Sequence, residues 1–423
     1  MSYVPSKLRK KIDWLFRRAE GALLPDALRR ATGPSPAPAA HLDPDGARLA
    51  LVACRDDVEV VGDLARLDDL FAALDRSAEQ RSYIAKYGVA GVRRFDAGGA
   101  RTRIYQLSVE TFPRLVNNVF VIVEPGSALM LDCGSGLPTS RRDLALGFAV
   151  LAAVFEEDVR WETLDWCLVS HAHADHFGGV NQLKRTSSAQ LAVHELDARV
   201  ISCFDERLVL AMRDIDVYWR RAGIPVERRA EMREMYMLSK RLFQNEPVDR
   251  TLRDGDVIGP GYRVHHVPGH CPGLVCLQVH DVLLTSDHIL GRITPHQFPQ
   301  ALAAFGGLEH YFRSLDKIRA LDGIRLALGG HEEPIADLRG RIDEIERFHR
   351  ERLERVYESC ARPSTIDDVA GDLFGGQEGY GVILAIDEAG AHVEYLHQLG
   401  RLRVANLDEV ASSDDPVIRY VRR

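Results

Sequence analysis

The 423-residue sequence contains no run of 18 apolar residues, which excludes a helical membrane span. Its opening stretch, Met1-Ser2-Tyr3-Val4-Pro5-Ser6-Lys7-Leu8, lacks an apolar signal core. Cysteine is scarce: seven residues, an odd number without regular spacing, argue for reduced thiols rather than a disulfide framework. Both features set the expectation of a cytoplasmic protein with no membrane partner. Positive charge is in deficit, with 54 Lys and Arg against 62 Asp and Glu, a net of -8. That balance disfavours a broad nucleic-acid footprint, so no nucleic-acid partner is expected. The length exceeds one ordinary core and predicts two or three structural units. A hydrophobic share of 46% with 27% charged residues is ordinary for a soluble globular chain.

What is present is concentrated in Ser170-His171-Ala172-His173-Ala174-Asp175-His176. Three imidazoles and one carboxylate follow the apolar run Trp166-Cys167-Leu168-Val169, where a strand would hand over to a loop. Neutral imidazole and carboxylate suit zinc and related divalent ions. Further candidates close later apolar runs: His270 in Pro268-Gly269-His270-Cys271-Pro272-Gly273, Asp287 after Leu283-Leu284-Thr285-Ser286, and His331 after Leu328-Gly329-Gly330. Flanking glycines let the backbone turn sharply toward an ion.

With these residues in this order, the sequence resembles the metallo-β-lactamase-fold superfamily of metallo-hydrolases over roughly residues 101 to 335. The resemblance implies that His171, His173 and His270 hold one ion. It implies that Asp175, His176 and His331 hold a second, and that Asp287 bridges both. Asp132, in Leu131-Asp132-Cys133-Gly134, matches a family aspartate that supports the site by accepting a hydrogen bond from a ligating His; an ordinary cap or turn residue is the alternative reading. His265, His266, His288 and His296 lie near ligands in sequence and read as structural or supporting side chains, with His288 the one expected to touch substrate. Cys271 reads as a buried or half-buried thiol.

A pair of divalent ions can lower the pKa of water from 15.7 towards roughly 7, which supplies a nucleophile at neutral pH without a covalent intermediate. The ions implied are zinc, with iron or manganese as alternatives. Asp175 is expected to orient or shuttle the nucleophile's proton, making it and His288 the catalytic candidates. His173 stands where diiron flavoprotein relatives carry Glu. The segment Leu290-Gly291-Arg292-Ile293-Thr294-Pro295-His296-Gln297-Phe298-Pro299 differs from that of the mono-iron persulfide dioxygenases. It is more similar to the glyoxalase II-like and lactonase-like hydrolases. The expected activity is cleavage of a small ester, thioester or lactone; a metal-dependent nuclease and a mono-iron sulfur dioxygenase are the alternatives.

The expected fold is α/β: the family's αββα sandwich, with strands 104–107, 119–123, 128–131, 165–169 and 190–194 and helices 141–156 and 178–185. Residues 195–247 break the pattern as a helical insert over roughly 205–221 and 227–244, and hold four of six methionines. Such side chains suit an adaptable pocket capping the site. An N-terminal extension occupies 1–100, with a basic amphipathic helix over 6–24, a linker near 33–46, a strand at 49–52 and a helix over 66–87. The C-terminal 336–423 predicts helices 338–360, 365–374 and 381–399 and a strand at 401–404. It resembles a small winged-helix module. Asp387, Glu388 and Glu394 on its last helix argue for packing or oligomerisation, including a homodimer, over nucleic-acid binding.

Overall fold

The computed structural model describes residues 91–99, 101–240 and 243–423. The expectations for 6–24, 33–46, 49–52 and 66–87 lie outside the described residues. Two compact units divide the rest. One contains residues 91–169, 173–192 and 258–262, the other 170–172, 193–257 and 263–423.

In the first unit, β1 (Arg93–Ala97), β2 (Thr102–Phe112), β3 (Leu115–Glu124) and β4 (Ser127–Leu131) pair antiparallel in chain order. Pro125-Gly126 closes the β3–β4 hairpin, as the turn residues predict. Helix α1 (Pro138–Phe155) starts on a proline, which the first helical turn tolerates because that N–H has no intrahelical partner. Strand β5 (Trp166–Val169) then pairs parallel to β4, with Leu131 opposite Leu168. Helices α2 (Ala174–Phe177) and α3 (Val180–Thr186) follow, and β6 (Gln190–His194) comes after β5 in the sheet order. Because β4 and β5 run parallel, their carboxyl ends lie side by side, and the loops leaving them emerge together. Asp132 leaves one end; the His-rich stretch leaves the other.

The second unit begins with helices α4 (Glu195–Ser202), α5 (Phe204–Arg221) and α6 (Val226–Lys240). Short strands β7 (Arg250–Leu252) and β8 (Val257–Ile258) lead to β9 (Tyr262–His266), β10 (Val275–Val279), β11 (Val282–Ser286) and β12 (Leu326–Gly329). β9, β10 and β11 are antiparallel; β11 and β12 are parallel, with Ser286 opposite Gly329. A second parallel pair therefore delivers Asp287 and His331 to one end. The β11 register breaks between Leu284 and Ser286, and Ser286 takes a left-handed φ of 46°. Such irregularities re-aim the next side chain.

Helix α7 (Leu308–Arg319) precedes β12. Then come α8 (Leu338–Ser359), α9 (Ile366–Phe374), α10 (Tyr380–Gln398), β13 (Leu402–Val404), α11 (Leu407–Ser412) and β14 (Tyr420–Arg422), the last strand pairing antiparallel with β13. Helix α9 starts on a full capping box: the Thr365 hydroxyl accepts from Asp368 N–H, and the Asp368 carboxylate accepts from Thr365 N–H. The helical spacing of Ile342, Ile345, Phe348, Leu353 and Val356 predicts one inward face on α8, and Ile342, Ile345, Leu353 and Val356 do face inward. Phe348 does not. It is 40% exposed, and the Arg352 guanidinium lies 4.3 Å above its ring, while His349 takes the inward position.

Met212, Trp219 and Met232 of the insert are buried in one apolar core with Ile366, Ile383 and Ile386 of the C-terminal helices. Arg228 of α6 pairs with Asp367 of α9, and Asp367 N–H donates to the Ala222 carbonyl. These methionines therefore serve packing against α9 and α10 instead of lining an open pocket. Glu388 is also turned inward, at 5% exposure, and contributes nothing to an outward acidic face on α10. Among the described residues no helix is long and apolar enough to cross a membrane.

Candidate metal centre

The first unit supplies His173, Asp175 and His176. His176 is fully buried, and its Nδ1 donates to Asp132 Oδ2 at 2.8 Å. Asp132 reaches it from a left-handed φ of 66° just past β4, a conformation that costs a non-glycine residue about 1–3 kcal/mol and needs the surroundings to enforce it. Two backbone bonds do so: Asp132 N–H donates to Leu168 O at 2.8 Å, and Cys133 N–H to His176 O at 2.9 Å. The supporting role expected of Asp132 thus has a direct geometric counterpart.

Asn117 was not legible as a site residue. It is buried on β3, and its amide donates to Asp175 Oδ2 at 3.0 Å and lies 3.1 Å from His176 Nε2. The Thr111 hydroxyl donates to Asn117 Oδ1 at 2.6 Å, which fixes the amide orientation. The available signal was the polar pair Asn117-Asn118 interrupting an otherwise apolar strand.

The second unit supplies His171, His270, Asp287 and His331, all buried. The His171 and His270 rings meet edge to face with centroids 5.2 Å apart. Asp287 Oδ2 lies 3.7 Å from His270 Nε2 and 3.3 Å from His331 Nε2. His171 Nδ1 lies 3.0 Å from Ser170 Oγ, which is in turn 2.7 Å from Ser286 Oγ. His270 Nδ1 donates to the His296 carbonyl at 2.6 Å. Gly269 must be glycine: its φ is 141°, and a Cβ there would stand 2.6 Å from Tyr311 Cα.

Asp197 is the second residue that the sequence did not mark. Fully buried in the first turn of α4, it accepts from Ala172 N–H at 2.8 Å and from Gly273 N–H at 2.9 Å, one bond to each carboxylate oxygen. The Cys271 thiol also donates to it, at 3.3 Å. Burial, then the Asp197 charge, push the Cys271 thiol well above its usual value, so it stays protonated. One carboxylate therefore clamps the loop carrying His171 and the loop carrying His270.

The neighbouring histidines are held structurally. His266 donates to Pro272 O at 2.8 Å and stacks on His194 at 3.8 Å; His265 pairs with Gln278 Oε1 at 2.9 Å. His288 has no exposed surface and packs edge-on against Tyr311, and burial drives its imidazole down to about 3. Such a neutral, enclosed ring suits a packing role beside Asp287.

The donor set fits divalent cations. Three of the five candidate imidazoles (His171, His176 and His270) have Nδ1 against a hydroxyl, a carboxylate or a carbonyl, which leaves Nε2 as the nitrogen suited to meet a metal ion.

Comparison with known proteins agrees with this chemistry. Residues 113–331, more than half of the chain, match the family model of the metallo-beta-lactamase superfamily. A metallo-beta-lactamase family protein from Thermus thermophilus is similar in structure, with TM-score 0.60 and 27% identity over 76% of this chain and 98% of that one. A beta-lactamase domain protein from Burkholderia ambifaria gives TM-score 0.61 at 24% identity, covering 78% of this chain and 94% of that one. Among curated proteins, the human acyl-coenzyme A thioesterase MBLAC2 is 29% identical over 178 residues, 40% of this chain and 57% of that protein. The lactamase-like protein aptB of Emericella nidulans is 22% identical over 247 residues, 57% of this chain and 59% of that one. The match thus spans a little over half the length of these two relatives. With its α/β elements, its ordered His and Asp donors and a family match across the stretch that carries them, the chain belongs to the metallo-beta-lactamase superfamily.

Proposed function

We propose that the chain is a hydrolase with two divalent ions, zinc by preference, that cleaves a small ester, thioester or lactone, and that the thioester is its natural class. The carrying observation is the donor set, five of its seven residues buried and His173 and Asp175 half-buried, with its oriented imidazoles. The groups able to hold ions are His171 with His173 and His270, and Asp175 with His176, Asp287 and His331. Asp287 is assigned to both ions. Metal bound there supplies a lowered water pKa and a polarised acyl oxygen.

The protein's own groups do the remainder. Asp132 keeps the His176 ring in one tautomer and one orientation by taking its Nδ1 proton in a hydrogen bond. Asn117 holds the Asp175 carboxylate through Oδ2, so that Asp175 meets the proton of the attacking water in a fixed direction. Cys271, the thiol beside His270, does not serve as nucleophile: it is buried and protonated, and it donates to Asp197. The thioester class is favoured by the similarity to a protein named as an acyl-coenzyme A thioesterase.

The test is metal analysis of purified protein followed by a panel of acyl thioesters, aryl esters and lactones. Two ions per chain with thioester turnover supports the proposal. A single iron with oxygen consumption favours the dioxygenase reading, and loss of every acyl activity in metal-replete protein defeats the hydrolase reading.

A further inference from the structure

Among the described residues, the loop leaving β11 is pinned by the C-terminal helices at several points. Arg341 of α8 donates to Leu290 O at 2.7 Å and to Ile293 O at 2.8 Å. The His296 ring donates to Leu384 O of α10 at 3.0 Å. Gln297 is completely buried, and its backbone N–H donates to Glu388 Oε2 at 2.7 Å. The other carboxylate oxygen, Oε1, is paired with Arg352 of α8. The His296 carbonyl, which belongs to the same peptide unit as the Gln297 N–H, accepts the Nδ1 proton of His270 at 2.6 Å.

We propose that Glu388 is a positioning residue for the metal centre: by fixing the 296–297 peptide plane it aims the carbonyl that orients His270. Because the peptide is planar, a hydrogen bond on its N–H sets the direction of its C=O. The buried Glu388 carboxylate thus ties α10 to Arg352 of α8 through one oxygen and to the Gln297 N–H through the other. The inference rests on the reading of His270 as a ligand.

His349, Glu388 and His392 are themselves a buried group of metal-donor type. A cation there is disfavoured because the Glu388 charge is already neutralised by the Arg352 guanidinium. His392 Nδ1 instead donates to Glu388 O at 2.7 Å, and His349 Nδ1 lies 3.1 Å from His392 Nε2. These contacts brace the helix that presents Glu388.

The experiment is competitive titration of metal-free full-length chain with cobalt(II) against a chromophoric chelator, following the cobalt absorption bands. Wild type takes up two equivalents. In Glu388→Ala one equivalent weakens by about 10- to 100-fold with altered bands, while the other stays within about twofold. Glu388→Gln, which keeps an oxygen for the Gln297 N–H, retains most of the affinity. His296→Ala, which removes only the anchor to Leu384, gives the same selective weakening on a smaller scale, and it decides the matter if the Glu388 variants do not fold. Equal weakening of both equivalents, or no change in either, overturns the role of Glu388. A wild-type chain that takes up no cobalt overturns the metal-centre reading itself.

Discussion

Asp197 and Gly273 are joined by a 2.9 Å bond from the glycine N–H to the buried carboxylate, and a Cβ on Gly273 would stand 2.4 Å from the Asp197 Cγ. The same carboxylate holds Ala172, between His171 and His173. Replacing Asp197 by Ala leaves the half-buried Ala172 N–H, the buried Gly273 N–H and one thiol without their acceptor. Each such loss costs about 1–3 kcal/mol, so unfolding should come at markedly lower temperature. Asp197→Asn keeps one acceptor oxygen and should lie between. Differential scanning calorimetry at one pH ranks the three. An Asp197→Ala chain as stable as wild type would remove the clamp from the account.

Asp287→Ala should release both ions and lower kcat/KM by roughly a thousandfold, since one side chain is assigned to both and its loss removes charge stabilisation in the transition state. Metal content after gel filtration, measured beside activity, checks this. Two tightly held ions in the variant would contradict the bridging assignment.

Asn117→Ala offers the opposite pattern. The amide donates to Asp175 and lies against His176 without being of a metal-donor type itself. Metal content should stay near wild type while kcat falls about tenfold, the worth of one hydrogen bond to a carboxylate. Loss of metal in this variant would make Asn117 part of the ion's support rather than of Asp175's orientation.

The candidate donors were readable because their chemistry is local. His171, His173, Asp175 and His176 crowd one strand exit, and Asp287 and His331 follow short apolar runs that read as strands. Helix and strand centres were legible for the same reason: α5, α8 and α10 have apolar periodicity over several turns. Asp197 was hidden because an acidic residue in the first turn of a helix is ordinary. Its role appears only when residues 25 and 76 positions away are brought to it. The burial of Glu388 was hidden too, since Arg352, its neutralising partner, sits on another helix. Met212 and Met232 misled for a related reason: a flexible apolar side chain reads alike whether it fills a core or lines a pocket.

Gly269→Ala should be among the most disruptive single changes. The added Cβ meets backbone and side-chain atoms of Tyr311 at 2.6 to 2.8 Å, and the φ of 141° is outside the range of an alanine. A cost of at least about 2–4 kcal/mol is expected, with His270 displaced and metal uptake reduced. Thermal unfolding and cobalt titration read the two effects separately; an alanine variant with wild-type values in both would mean that the loop adapts freely.

Asp387 sets a pH dependence in the C-terminal helices. Burial, then the Glu388 charge, push its carboxyl up to about 8, and its Oδ1 makes no hydrogen bond. The Tyr218 and Tyr236 hydroxyls face the same charge and are themselves raised, first by burial. An unfolded Asp titrates near 3.9, so between about pH 4 and pH 8 the folded chain binds a proton that the unfolded chain has released. Stability contributed by this group is therefore full below about pH 4, declines as pH rises towards 8 and is flat beyond. Asp387→Asn removes the carboxyl, and its melting temperature should gain on wild type steadily from about pH 5 to pH 8. A constant difference between the two across that interval would show that Asp387 is already ionised in the folded chain at the acidic end.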